Sequence, residues 1–351
     1  MNVKTVTDQV CDSKAGFASP VHPVQSMIAY GRLPEFVALT KPRVMMLAVF
    51  TALVGLIDAP LRLEPVAAFV AVLAIAAGAA GAGVLNMWYD ADIDAIMSRT
   101  AMRPIPRGKV SRSEALVFGL ALAVAAVAGL ALATNITAAA LLAGALLFYV
   151  VVYTAFLKRS TRQNIVIGGA AGALPPVIGW AAATGDIGLQ PLVLFLIIFL
   201  WTPPHFWALA LNRRDEYARA GVPMLPVVAG RAATTRQILV YSVLLAAASV
   251  LPWAFGFAGP RYGATAAICG VLLLWLALQL SRSGEADRRA AHRLFVFSIF
   301  YLFVLFAAVS IDRSTPSSPS IRSSHDARID AGSGIATQIT PSSIGVRARE
   351  V

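Results

Sequence analysis

Nine separate runs of about 20 apolar residues recur along the chain, and no other feature limits its fold so severely. A bilayer core about 30 Å thick is crossed by roughly 17–25 helical residues, because in lipid each backbone N–H and C=O must be satisfied within the segment. The runs predict spanning helices near 43–59, 65–88, 114–133, 137–156, 164–183, 190–211, 234–256, 262–280 and 293–311. Between the third and fourth only Thr134-Asn135-Ile136 is left, which implies a tight hairpin. Only 13% of residues are charged and 58% are hydrophobic, whereas soluble domains carry about 25% charged residues. The expected fold class is all-α, a polytopic membrane bundle of about nine transmembrane helices in a lipid bilayer.

The formal net charge of +11 would suit a nucleic-acid ligand, but its placement argues for no nucleic acid. Arg99, Arg103, Arg107, Lys109 and Arg112 follow the second run, and Lys158, Arg159 and Arg162 the fourth. Arg213, Arg214, Arg219 and Arg231 follow the sixth, and Arg282, Arg288, Arg289 and Arg293 lie around the eighth loop, while the opposite loops offer only Arg62 and Arg261. Basic loops stay on the cytoplasmic side. The N-terminus and the basic loops are therefore expected in the cytoplasm and the C-terminus outside. Residues 1–35 read as a flexible cytoplasmic segment, 36–313 as the membrane domain, and the Ser/Thr/Pro-rich 314–351 as a disordered tail. Cys11 and Cys269 give neither a disulfide framework nor a metal spacing. The leader lacks a secretory apolar core and has no Arg before Arg32, which favours a bacterial inner membrane over a mitochondrial one.

Two spans carry small-residue stretches, Ala77 through Gly83 and Gly168 through Ala173. Small residues allow close backbone approach in lipid. Tight packing alone accounts for them, and the sharper reading adds room for a long or flat ligand. Pro175-Pro176 and Pro203-Pro204 are expected to kink or break their helices.

Asn86, Asp90 and Asp94 recur every fourth residue at the end of the second run. Each step of four drifts only about 40° around a helix, so the three share a face that Asp92 does not. Two carboxylates and an amide oxygen one turn apart suit Mg²⁺, and two bare carboxylates would repel each other. Arg99, Arg103 and Arg107 follow closely, as a Mg²⁺-bound diphosphate requires. A juxtamembrane loop with internal salt bridges is the plainer explanation, disfavoured by the cost of Asp at this depth. A second polar stretch, Asn212-Arg213-Arg214-Asp215-Glu216-Tyr217, repeats the amide-to-acid spacing once, and spacing leaves open whether Asp215 or Glu216 faces inward. Lys41 with Arg43, and Lys158 with Arg159, fall on the same side as further diphosphate-binding candidates. His205 lies within a span, either as a packed, hydrogen-bonded residue or as a group touching a polar acceptor or acting as a base. Trp88, Tyr89, Trp201, Phe206 and Trp207 are candidate walls for an isoprenoid channel.

Asn86-x3-Asp90-x3-Asp94 followed by Arg99-x3-Arg103 resembles the first acidic signature of the intramembrane aromatic prenyltransferase superfamily. Thr40-Lys41-Pro42-Arg43, Lys158-Arg159-x-Thr161, Pro203-Pro204-His205-Phe206-Trp207 and Tyr217-Ala218-Arg219-Ala220-Gly221-Val222-Pro223 are similar to its heme O synthase branch, and the likeness spans about 36–311. The resemblance implies transfer of a farnesyl group from farnesyl diphosphate to a vinyl group of heme b, with Mg²⁺ as cofactor, heme O as product and a heme A synthase downstream. It implies that Asn86, Asp90 and Asp94 form the first Mg²⁺-diphosphate site. Glu216 stands where that branch is expected to carry Asp, which leaves the second site's geometry open. The runner-up is a prenyltransferase acting on a quinone precursor such as 4-hydroxybenzoate. A membrane transporter is the rival from another class, and acids clustered at one membrane face count against it.

Overall fold

The computed structural model describes residues 32–284 and 287–312. Most of the expected leader (1–31) and the whole expected tail (314–351) lie outside the described residues. Within the leader's last residues α1 (Leu33–Leu39) already begins, after Arg32, whose guanidinium forks onto Glu114 at 2.8 and 2.9 Å. A 54° bend at Thr40-Lys41 leads into α2 (Pro42–Asp58). There follow α3 (Pro65–Tyr89), the short α4 (Ala91–Ile96) and α5 (Arg112–Ala133), the last started by a Ser111/Glu114 capping box. Asn135 caps α6 (Ile136–Leu147), completing the expected hairpin. The same span continues as a π-helical stretch (Phe148–Leu157) and ends in α7 (Lys158–Ser160).

The fifth expected span is α8 (Asn164–Ala173) plus α9 (Pro175–Thr184), broken at Leu174 by the proline pair as anticipated. The sixth is α10 (Leu189–Asn212), and of the kink or break expected there the break does not occur, because the helix runs through Pro203 and Pro204. Residues 201–205 are all buried, so packing on neighbouring helices holds the turn that the missing N–H groups would otherwise loosen. Two short helices, α11 (Arg214–Arg219) and α12 (Leu225–Val228), precede α13 (Gly230–Ala254), α14 (Pro260–Arg282) and α15 (Arg288–Ile311). Among the described residues, eight spans are long and apolar enough to cross a membrane, or nine if the bent α1–α2 pair is one span. All nine sequence-predicted spans thus have a helical counterpart.

One core joins α2, α3, α5, α6 and α9 through Ala52, Leu56, Ala71, Leu130, Leu142 and Ile178. A second joins α10, α13, α14 and α15 through Ile197, Trp207, Ile238, Leu273 and Leu305. Large apolar side chains such as Phe69, Val124, Leu132, Val271 and Phe300 point outward, as lipid-facing positions do. The α2–α9 crossing is set by a reciprocal glycine contact. A Cβ on Gly55 would sit 2.0 Å from the Pro176 carbonyl oxygen, and one on Gly179 would sit 2.0 Å from the Ala52 oxygen. Without a hydrophobic drive between helices in lipid, this close approach supplies the dispersion contact that holds them.

Gly179→Ala must push α9 off α2 and is expected to cost about 1–3 kcal/mol as an overpacking defect. Gly129→Ala, which meets nothing within 4 Å, is the matched control. Thermal unfolding in detergent checks this, and equal midpoints for the two variants would refute the glycine-limited crossing.

Candidate active site

Helix α3 does not carry the acidic ladder as one unbroken helix. It ends at Tyr89, Asp90 is the hinge (φ −87°, ψ 10°), and α4 carries Asp94. The four-residue pattern survives because the Asp90 N–H donates to the Asn86 carbonyl (3.0 Å) and the Asp94 N–H to the Asp90 carbonyl (2.8 Å). Asn86, Asp90 and Asp94 are 6%, 0% and 2% exposed, while the Asp92 side chain is 58% exposed on the other face. Spacing alone had separated these two faces correctly.

Each of the three buried side chains meets a cation from a different part of the chain. Lys41 Nζ donates to Asn86 Oδ1 at 2.8 Å. Asn86 Nδ2 donates to Asp90 Oδ2 (2.8 Å) and to Thr154 Oγ1 (3.2 Å). Lys158 pairs closely with Asp90, and Arg103 Nη1 meets Asp94 Oδ2 at 2.6 Å. Arg159 forks onto Asp92 at 2.8 and 2.8 Å, lies 3.6 Å from Asp90 Oδ1, and draws the Asp92 carboxyl down to about 2. The mutual repulsion expected between Asp90 and Asp94 is thus offset by the protein's own cations.

Two local irregularities create this convergence. Lys41 is the one described non-glycine residue with positive φ (52°). Pro42 disfavours a right-handed helical conformation at the residue before it, and the left-handed alternative starts α2 at a new angle. The π-helical stretch brings Tyr149, Thr154 and Lys158 to the same region. Its fit depends on Gly168, where a Cβ would lie 2.1 Å from the Tyr153 ring.

Beside Lys41 lies an apolar cavity of about 210 Å³. Thr40, Lys41, Ala82, Gly83, Tyr149 and Gly172 are among its walls. The small-residue stretches therefore do both jobs proposed for them. Gly78 and Gly81 pack against α6 and α5, whereas Ala79, Ala82 and Gly83 leave room. The aromatic expectation is corrected. Tyr149 is the one aromatic lining this cavity, while Trp201 stacks on His205, Trp207 packs on Tyr241, and Phe206 is exposed. Sequence reasoning missed Tyr149 and any role for Thr154, although a polar Thr inside an apolar run was a usable signal.

The second acidic stretch meets the first loop. Ser98 lies near Glu216, and Arg99 against Tyr217. Asp215 is exposed and Glu216 half-buried. Glu216 Oε1 accepts from Arg213 (2.7 Å), which holds the carboxyl below its usual range, and Oε2 is buried without a hydrogen bond among the described residues. Arg43, Arg99 and Arg107 are exposed and form no ion pair among the described residues. His205 is not drawn into the acidic cluster by any contact. It shares a 2.7 Å hydrogen bond with Ser298 and stacks between Trp201 and Phe295. Among the described residues no three His, Cys, Asp or Glu side chains converge. Asn86, Asp90, Asp94 and Glu216 nevertheless offer only oxygen donors, of which Asp90 Oδ1 and Glu216 Oε2 lack hydrogen bonds, so the donor chemistry fits a hard divalent cation.

Buried acids and their cations thus gather beside an apolar cavity within a bundle of membrane-spanning helices. The model of the UbiA prenyltransferase family matches residues 47–306, and the chain belongs to that family. It is 57% identical over 288 residues to protoheme IX farnesyltransferase of Afipia carboxidovorans, covering 82% of this chain and 92% of that one. It is 59% identical over 278 residues to protoheme IX farnesyltransferase 1 of Mesorhizobium japonicum, covering 79% and 89%. The fold superposes on a structure of digeranylgeranylglyceryl phosphate synthase with a TM-score of 0.67 at 20% identity, covering 80% and 98% of the two chains. A UbiA homolog from Archaeoglobus fulgidus bound to DMAPP and Mg²⁺ matches with a TM-score of 0.59 at 16% identity, covering 79% and 99%.

Lys158→Met removes the closest cation from the buried Asp90, leaving it the Asn86 amide and Arg159 at 3.6 Å, and loss of a buried pair's partner costs up to about 3–5 kcal/mol. The double variant Asp90→Asn/Lys158→Met removes both charges and is expected to regain most thermal stability while remaining inactive. A double variant no more stable than Lys158→Met would remove the ion pair from the account.

Proposed function

We propose that the chain transfers the farnesyl group of farnesyl diphosphate to a vinyl group of protoheme IX (heme b), producing heme O. The observation that carries the reading is the buried Asn86–Asp90–Asp94 ladder with its cations at the mouth of the apolar cavity. The shared name of the high-identity relatives supports heme as the acceptor over 4-hydroxybenzoate, and nothing in the site favours transport.

The allylic C1–O bond breaks with its electron pair leaving on diphosphate, and the vinyl π pair forms the new C–C bond. Water then adds to the resulting cation and releases a proton, giving the hydroxyethylfarnesyl side chain. Mg²⁺ held by Asp90, Asp94 and Asn86, with Glu216 as a ligand for a second ion, would neutralise charge on the departing diphosphate. Lys41, Arg103, Lys158 and Arg159 bind the remaining diphosphate oxygens, Lys41 exchanging the Asn86 amide oxygen and the others their carboxylate partners for phosphate. Arg43, Arg99 and Arg107 extend the positive field at the same mouth. The apolar cavity takes the isoprenoid and excludes water from the first cation. Tyr149 presents the aromatic ring inside that cavity. His205, held by Ser298, positions α10 against α15. The basic loops support a reading in which this mouth faces the cytoplasm across a bacterial inner membrane, with the N-terminus inside and the C-terminus outside. An enzyme that oxidises heme O would consume the product.

Purified protein in detergent, given farnesyl diphosphate, Mg²⁺ and heme b, is expected to form heme O. Chelation of divalent cations should stop it, and Asp90→Ala or Asp94→Ala should lower kcat at least about 10³-fold, the scale of losing a main electrostatic stabiliser. Product on 4-hydroxybenzoate instead of heme would overturn the acceptor, and full activity of both Ala variants would overturn the metal assignment.

A further inference from the structure

A second, strongly basic cavity of about 500 Å³ lies between the end of α10 and the start of α15. Asn212 and Arg213 form one wall, and Arg288, Arg289, His292 and Arg293 the other. Asn212 Nδ2 donates to the Arg288 carbonyl at 3.2 Å, tying together two segments distant in sequence. Basic residues beside spans serve topology, but topology does not require them to converge on one concavity. Like charges gathered this way repel, and an anion between them removes the cost. Among the described residues, the acids near this corner are Glu216, which pairs with Arg213, and Asp287, which caps α15 through the Arg289 and Ala290 N–H groups (2.9 and 3.2 Å).

The cavity's place relative to the acidic cluster identifies the anion. Arg213 lines it and also pairs with Glu216, the second acidic position. In the core behind it, Phe295 of α15 stacks on His205 and His205 on Trp201 of α10, with centroid spacings of 4.6 and 4.2 Å, which fixes the two helices that carry the cavity's walls. A concave cationic rim beside the second acidic position fits an acceptor that carries its negative charge on one edge. We propose that this cavity binds the two propionate carboxylates of the porphyrin acceptor and thereby orients its vinyl edge toward the diphosphate site. The proposal rests on heme as acceptor. Guanidinium forks match carboxylates two bonds at a time, and four of them accommodate a dianion.

The test compares heme b with its dimethyl ester, whose propionates carry no charge, in wild type, Arg288→Gln/Arg293→Gln and Arg288→Lys/Arg293→Lys. Wild type should show a KM for the ester about tenfold above that for heme b, the scale of one or two lost charge-assisted contacts. The Gln variant should raise the heme b KM to the ester's value, leaving kcat, the ester KM and the farnesyl diphosphate KM unchanged, and the Lys variant should fall between. Equal KM values for acid and ester in wild type would overturn the proposal, as would a Gln variant impaired equally on both. So would a loss seen only in phosphatidylglycerol nanodiscs and not in phosphatidylcholine, which would assign the cavity to a lipid phosphate. A wild type that makes no heme O from either acceptor would defeat the acceptor reading itself, a result distinct from parity between acid and ester.

Discussion

Ionised carboxylates removed from water must be paired, and nearly everything about this site follows from that requirement. Asp90 and Asp94 are 0% and 2% exposed in a chain with few charges to spare. Their partners arrive from three places, namely the end of the fourth predicted span, the loop after α4, and through Asn86 the α1–α2 bend. Helix ends that look arbitrary in isolation are placed where these side chains can reach. The positive φ at Lys41 belongs to the same economy, because a strained backbone persists only where its surroundings hold it.

Packing makes the second contribution. Glycine contact at Gly55 and Gly179 draws α2 and α9 together, while Ala79, Ala82 and Gly83 on α3 leave an apolar space beside Lys41. The same residue type thus closes one interface and opens another, depending on which face of its helix it occupies. Charge at the mouth and emptiness behind it are the two properties an allylic diphosphate needs, since its head is ionic and its tail is hydrocarbon.

The spans and the Asn86–Asp94 ladder were legible in the sequence because both depend on local counts, of apolar run length and of a four-residue period. What depends on three-dimensional closure was not. Arg99 and Arg103 lie five and nine residues beyond Asp94, yet of the two it is the more distant Arg103 that pairs with it, since the turns between Met97 and Gly108 decide which side chain folds back. Asp215 and Glu216 are adjacent, and only the placement of α11 turns Glu216 inward. Pro203 and Pro204 favour a kink or a break, yet both are buried inside α10, where the helix is not broken. None of the five aromatics expected to wall a channel lines the cavity, whereas the ring that does, Tyr149, comes from a stretch whose π-helical winding has no hydropathy signature.

That winding has an evolutionary consequence. An α-helix advances about 100° and 1.5 Å with each residue. A single codon lost between Phe148 and Leu157 would let the stretch relax to ordinary winding and swing Lys158 out of register with Asp90, even if every remaining side chain were retained. Natural variation in this segment should consequently take the form of substitution and almost never of insertion or deletion, because its chemistry is encoded in how many residues it has as well as in which ones.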